Sequence, residues 1–356
     1  MKRIYSLDFL RIVAAVFIIF HHYQQLTGVF FTGELNFHGG NFDFGYLVEL
    51  FFILSGFLAY NIVDKKELSF SEFFLSKLKR LLPLVFISCI VYEIFLFLYE
   101  REGNGFWILG PDISIWDTIV SGLGLQCVWK VDGILVNNPV WYISSLLLSY
   151  VIFFFLIYIG RRKKLEITYL FVAMILLGVS ILECHLQLPF FNQNAARGYC
   201  AFFFGLVFAH FTHGKKITWK HSMVCFFLVA GMTYGMANYF QYFENGIRYI
   251  MIFIYYPALI LLFIGSPLKQ MLNYKFIGIL GKITYDMYVW HVPMLLLLYI
   301  ISNKKPELIN FDLRYTMYAF AGGMVIVGII SHYLIDRPIQ RLLRSGDKQH
   351  KIKELN

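Results

Sequence analysis

The sequence predicts an all-α integral membrane protein, a polytopic bundle of about ten transmembrane helices, and three observations carry that expectation. Only 15% of the 356 residues are charged while 58% are hydrophobic, with a mean hydropathy of +0.62. Charge that sparse cannot cover a soluble surface. Ten apolar stretches, near residues 7–26, 44–63, 81–99, 139–159, 166–183, 197–212, 222–239, 247–265, 276–301 and 313–335, approach the roughly 20 residues that cross a hydrocarbon core. Basic residues also separate by connection: twenty-two fall on one side and seven on the other, with Arg11 and Lys282 unassigned. The positive-inside rule then places both termini in the cytoplasm.

The same pattern excludes other classes. A net charge of +9 and a pI near 9.1 invite a nucleic-acid reading, but the cations sit in short clusters between apolar runs, where they signal topology. The five cysteines are odd in number and lack metal-ligand spacing, so no disulfide frame and no metal site is expected. No Walker loop, GxGxxG, GxSxG or HExxH string is present. The run after Lys2 and Arg3 lacks a small-residue cleavage site and reads as a retained span rather than a signal peptide. Residues 1–345 read as one transmembrane domain, and 346–356 as a short cytoplasmic tail.

Taken in order, the first span carries RIVAAVFIIFHH, from Arg11 to His22. Eleven helical steps make three turns plus about 20°, so Arg11 and His22 share a face about 16 Å apart, while His21 points about 80° away. An arginine at this depth costs about 2.5–3.5 kcal/mol on insertion scales and usually lines a cavity. Snorkelling of Arg11 to the headgroups, with both histidines capping the other end, is the structural alternative. In the second span, Glu49 needs a partner such as Arg11 or must be protonated. Ser55 and Gly56 follow, a small pair that lets helices approach closely.

Before the third span, Lys77 and Arg80 share a helical face ahead of Pro83. They either hold topology or clamp the phosphates of a cytosolic donor. The long connection near residues 100–138 contains GNGFW and a stretch from Trp116 to Trp129 that reads as an interfacial helix, shaping an outer opening or lying as a lid. Pro139 and Trp141 open the fourth span. In the ninth, Tyr285, Asp286, Tyr288 and His291 surround Pro293, which frees a backbone carbonyl and suggests a cavity wall. Asp336 and Arg337 before Pro338 read as a helix stop.

In this order the pieces resemble the acyltransferase-3 family of bacterial integral-membrane O-acyltransferases, from about Tyr5 to about Arg344. Leu7, Asp8, Arg11 and His22 match its opening; Glu49 ahead of Phe51–Phe57, Trp141, Tyr288 with His291 and Pro293, and Asp336–Arg337–Pro338 follow. The resemblance implies transfer of an acyl group, most often acetyl, from acyl-CoA to a carbohydrate hydroxyl, such as that of a surface polysaccharide or lipid-linked oligosaccharide. The expected setting is the bacterial inner membrane. Acyl-CoA is a co-substrate with no bound cofactor, and the partners are the acceptor and the lipid bilayer, not nucleic acid. His22, Arg11 and Glu49 are the expected catalytic residues, with Glu49 holding Arg11 or His22. Lys77, Arg80, Ser55, Trp141, Tyr288 and His291 are the expected binding residues. Lys77 stands where the family often has arginine, which loses a bidentate phosphate contact, and the fused esterase-like domain of many members is not expected. A transporter or flippase for a glycan or lipid is the rival class.

Overall fold

The computed structural model describes residues 3–33, 35–63, 69–101, 113–129 and 135–343. Its elements are helices α1 (Tyr5–Thr27), α2 (Leu47–Ala59), α3 (Phe70–Arg101), α4 (Ile115–Gly122), α5 (Trp141–Lys163) and α6 (Ile167–Glu183). A two-residue hairpin, β1 (Gln187–Leu188) with β2 (Phe191–Asn192), precedes α7 (Gln193–Thr212) and α8 (Trp219–Asn238). Then come α9 (Ile247–Ile250), α10 (Tyr256–Ile264), α11 (Ser266–Met271), α12 (Lys275–Lys304) and α13 (Arg314–Ser331). Each of the ten predicted apolar stretches is helical. Among the described residues, seven helices are long and apolar enough to cross a membrane, and α6 is a shorter apolar helix.

Local chemistry sets the boundaries. Helix α1 ends at Gly28, whose φ of +67° favours glycine. The side chains of Ser114 and Asn192 cap α4 and α7 by accepting from Asp117 N and Ala195 N. The Trp116–Trp129 stretch is helical only as far as Gly122; turns then bring the two indoles within 6.0 Å. GNGFW and residues 346–356 lie outside the described residues.

The expected stop at Pro338 is corrected. The helix widens into a π turn over His332–Asp336 and continues to Leu343. A second π turn, Met251–Tyr255, joins α9 to α10 and likewise ends two residues before a proline, Pro257. Proline lacks an N–H and its ring crowds the carbonyl four residues back, so a turn already opened to i→i+5 bonding accommodates it.

The chain divides into two compact units, Met1–Glu67 with Leu148–Gly281, and Leu68–Leu147 with Lys282–Asn356. In the first unit α2 and α6 pack against α7. A Cβ on Gly56 would fall 2.0 Å from the Phe202 carbonyl oxygen, and one on Gly205 would fall 2.3 Å from that of Ile53. The small residue read from the sequence therefore meets a second glycine, and the two backbones touch. Phe52, Phe153, Phe202 and Phe203, all with no exposed surface, fill the space around this contact.

In the second unit two carbonyls freed by proline find side-chain donors. Pro293 frees the carbonyl of Val289, which accepts from Asn137 Nδ2 at 3.1 Å. Pro83 frees that of Lys79, which accepts from Gln340 Nε2 at 2.7 Å. Each bond gives the carbonyl a partner in place of the helical N–H that proline lacks.

Candidate active site

Helix α1 is unbroken from Tyr5 to Thr27, so Arg11 and His22 do share a face about 16 Å apart. Asp8, buried on the same helix, accepts from Arg3 Nε at 2.5 Å and lies 3.7 Å from Arg11 Nη1. It couples Arg11 to the foot of the helix. The fit there is tight, because a Cβ on Gly281 would come within 2.8 Å of the Asp8 side chain. At that foot a cavity of about 770 Å³ is lined by Arg3, Lys215, Lys216, Lys269, His213 and Tyr60 among others.

Glu49 corrects an expectation. Its carboxylate, with no exposed surface, is held by Arg197 rather than by Arg11 or His22: Nε meets Oε1 at 2.6 Å and Nη2 meets Oε2 at 2.9 Å. This is a two-pronged, charge-assisted pair. Arg197 also donates from Nη2 to the Gly45 carbonyl at 3.0 Å. A second guanidinium, Arg248, lies with Nε 3.9 Å from Glu49 Oε1 and stacks on Tyr46. That buried Nε–H has no acceptor among the described residues. Two cations around one carboxylate leave a surplus of positive charge, a setting suited to an oxyanion.

Three histidines gather at the far end of α1, two of them, His21 and His22, on the helix and the third, His38, in the segment that follows it. His21 is buried, with Nδ1 3.1 Å from the Phe37 carbonyl oxygen and 3.2 Å from Asp43 Oδ1. His38 Nδ1 meets the other oxygen of Asp43 at 3.1 Å. One carboxylate thus orients two imidazoles. His22 is half-buried beside them, its ring 5.0 Å from that of His21. Gly45 admits this arrangement, since a Cβ there would touch the His21 ring at 3.1 Å.

Of the other expected site residues, Ser55 is half-buried on α2 in the first unit, and the rest belong to the second. Lys77 lies on α3 with its ammonium 5.4 Å above the Phe73 ring, and Arg80, one turn on, is exposed. Trp141 begins α5; near it Tyr288 donates to the Pro139 carbonyl and stacks edge-on with Tyr142. His291 is buried with Nδ1 2.5 Å from the Tyr288 carbonyl oxygen. Cys127 Sγ lies 3.6 Å from the Trp141 carbonyl oxygen. Burial pushes its thiol up to about 12, so it stays protonated at neutral pH and is a poor acyl carrier.

Sequence reasoning missed Arg197, Arg248, His38 and Asp43. The two arginines counted as connection charges, yet each stands at the head of an apolar run, Arg197 in NQNAARGYCAFFFG and Arg248 in GIRYIMIFIYYP. A bare cation at such a position needs a buried carboxylate, and the second span had one to offer.

Residues 4–334 match a family model described as an acyltransferase domain. No curated protein and no solved structure gave a match. Because the family match runs from the foot of α1 into the π turn after α13, the chain belongs to the acyltransferase-3 family of membrane enzymes that move an acyl group onto a hydroxyl-bearing acceptor.

Proposed function

We infer that the protein takes an acyl group, acetyl first among the choices, from acyl-CoA and places it on a carbohydrate hydroxyl, working in the bacterial inner membrane with both termini cytoplasmic. The observation that supports this most directly is the unbroken α1 bearing Arg11 and His22 on one face in a chain matched over residues 4–334. An alcohol attacking a thioester must lose its proton, and an imidazole with an ordinary pKa near 6.5 accepts one at neutral pH. His22 is the base, or takes the acyl group itself before passing it on. Arg11, steadied by Asp8, orients the donor. Arg248, with an N–H that lacks an acceptor, stabilises the oxyanion while Glu49 holds Arg197 in register.

The donor's phosphates have two places to go. Lys77 and Arg80 are the pair read from the sequence. The basic cavity at the foot of α1, lined by Arg3, Lys215, Lys216 and Lys269, is the second. Ser55, Trp141, Tyr288 and His291 complete the binding residues.

The test uses membranes with the gene, without it, and with His22→Ala or His21→Ala, supplied with labelled acetyl-CoA and then succinyl-CoA. Label is expected in glycan, with free CoA released, from the intact gene and from His21→Ala at a reduced rate. His22→Ala is expected to lose at least 100-fold, the lower end of what a positioned acid–base group contributes. Full activity in His22→Ala with loss in His21→Ala would instead make the Asp43-oriented imidazole the base. A transporter would release no CoA in any arm.

A further inference from the structure

The second unit contains a cluster that the acyl-transfer reading does not use. The π turn His332–Asp336 places the side chains of His332 and Asp336 on one face, one wide turn apart, and Asp286 of α12 faces them. His332 Nδ1 is 3.4 Å from Asp286 Oδ2 and 3.3 Å from Asp336 Oδ2. All three donor atoms lie within 4.8 Å of one another. We propose that Asp286, His332 and Asp336 form a binding site for a divalent transition-metal ion, with zinc the best match.

Three features carry this. Asp286 has no exposed surface, yet its Oδ2 has no hydrogen-bond partner, and neither does the buried Nδ1 of His332 that faces it. Neither His332 contact has the geometry of an N–H···O bond, so a proton on Nδ1 leaves Asp286 Oδ2 unsatisfied, whereas Asp336 accepts through Oδ1 from Gln340 Nε2 at 3.4 Å; an ion placed between the three donors answers both orphaned atoms. Buried polar atoms are otherwise almost always paired.

The spacing is the second feature. A tetrahedral zinc with bonds of about 2.0–2.2 Å sets neighbouring donors roughly 3.3–3.5 Å apart, which is the separation of His332 Nδ1 from each carboxylate oxygen. Octahedral magnesium, at about 2.0–2.1 Å, would draw neighbouring donors to about 3.0 Å or less. One nitrogen and two oxygens also suit a borderline ion better than calcium, which prefers oxygen alone.

Third, the site has the outer support that metal carboxylates usually have. Trp290 Nε1 donates to Ser331 Oγ at 2.8 Å, and Ser331 Oγ donates to Asp286 Oδ1 at 2.7 Å. That chain fixes one oxygen of Asp286 and turns the other toward His332.

The first unit offers a contrast. In the His21, His38 and Asp43 cluster, His21 Nδ1 has the Phe37 carbonyl and His38 Nδ1 has Asp43 Oδ2 as hydrogen-bond partners. Those ring nitrogens are satisfied without an ion.

The experiment measures metal rather than activity. Tag-free protein purified in detergent is stripped with EDTA, equilibrated with Zn²⁺, dialysed, and assayed by elemental analysis; Co²⁺ replaces Zn²⁺ in a parallel sample read by visible absorption. About one zinc per chain and an intense tetrahedral cobalt spectrum are expected. His332→Ala and Asp336→Asn should each weaken binding by more than 100-fold, and Ser331→Ala by 10–100-fold, the usual cost of an outer-shell partner. Ser331→Ala keeps all three donors, so it stands in if a ligand variant elutes as aggregate. No retained zinc in the wild type, or zinc retained equally by the wild type, His332→Ala and Ser331→Ala, would overturn the assignment.

Discussion

Two buried charge clusters, one in each unit, are built alike and balanced oppositely. In the first, one carboxylate, Glu49, meets two guanidiniums, and the atom left without a partner is a donor, Arg248 Nε. In the second, two carboxylates meet one imidazole, and the atoms left over are Asp286 Oδ2 and His332 Nδ1, with an acceptor among them. Each cluster borders a π turn that ends two residues before a proline. The lesson is electrostatic: a site with spare cation and a spare N–H is suited to developing negative charge, and a site with spare carboxylate is suited to a metal ion.

Removing one charged side chain from each cluster separates the two. Arg197→Ala strips buried Glu49 of its two-pronged partner and leaves only Arg248, 3.9 Å away and not hydrogen-bonded to it, a loss of about 3 kcal/mol, the lower end for a broken internal ion pair, measurable as a large fall in the thermal unfolding midpoint in detergent. Asp336→Asn in metal-stripped protein removes one of two neighbouring like charges, so its midpoint should hold or rise. A fall in Asp336→Asn as deep as that in Arg197→Ala would instead show a second cluster already balanced without an ion.

At a free Zn²⁺ concentration of 100 times the dissociation constant, binding to the native state alone adds about 2.7 kcal/mol. The wild type should gain that stability in a zinc titration while His332→Ala, binding more than 100-fold more weakly, gains less than about 0.4 kcal/mol. Arg197→Ala, though weakened, should still respond to zinc, since its lesion lies in the other cluster.

How much of this could be read in advance depends on the range of the forces involved. Helix identity follows from local hydropathy, so every apolar stretch proved helical. The shared face of Arg11 and His22 follows from helical pitch. Gly56 could be read as a close-approach site because small size is a property of the residue, although its partner Gly205 could not. Glu49 was recognisable as needing a cation, but Arg11, a neighbour on the preceding span, was the wrong choice. The actual partner, Arg197, comes from a helix 148 positions on, and no local pattern ranks one buried arginine above another. The π turn at His332–Asp336 was missed because proline normally ends a helix, and the wider turn that tolerates it depends on packing that a one-dimensional pattern does not contain.

Two neutral side chains set a baseline for both clusters. Asn137→Leu removes the donor that satisfies Val289 ahead of Pro293, and Gln340→Leu removes the one that satisfies Lys79 ahead of Pro83. An orphaned carbonyl costs about 1–3 kcal/mol. Asn137 has no exposed surface and also donates to Ser88, so it should fall at the upper end. Gln340 is half-buried, and water can replace its amide, which puts it at the lower end. Thermal midpoints of the two variants should therefore rank with Asn137→Leu below Gln340→Leu, and both above Arg197→Ala. If Gln340→Leu proved as costly as Arg197→Ala, backbone repair at proline would outweigh charge pairing in holding this protein together, and the contrast between the two clusters would lose its claim on stability while keeping its claim on binding.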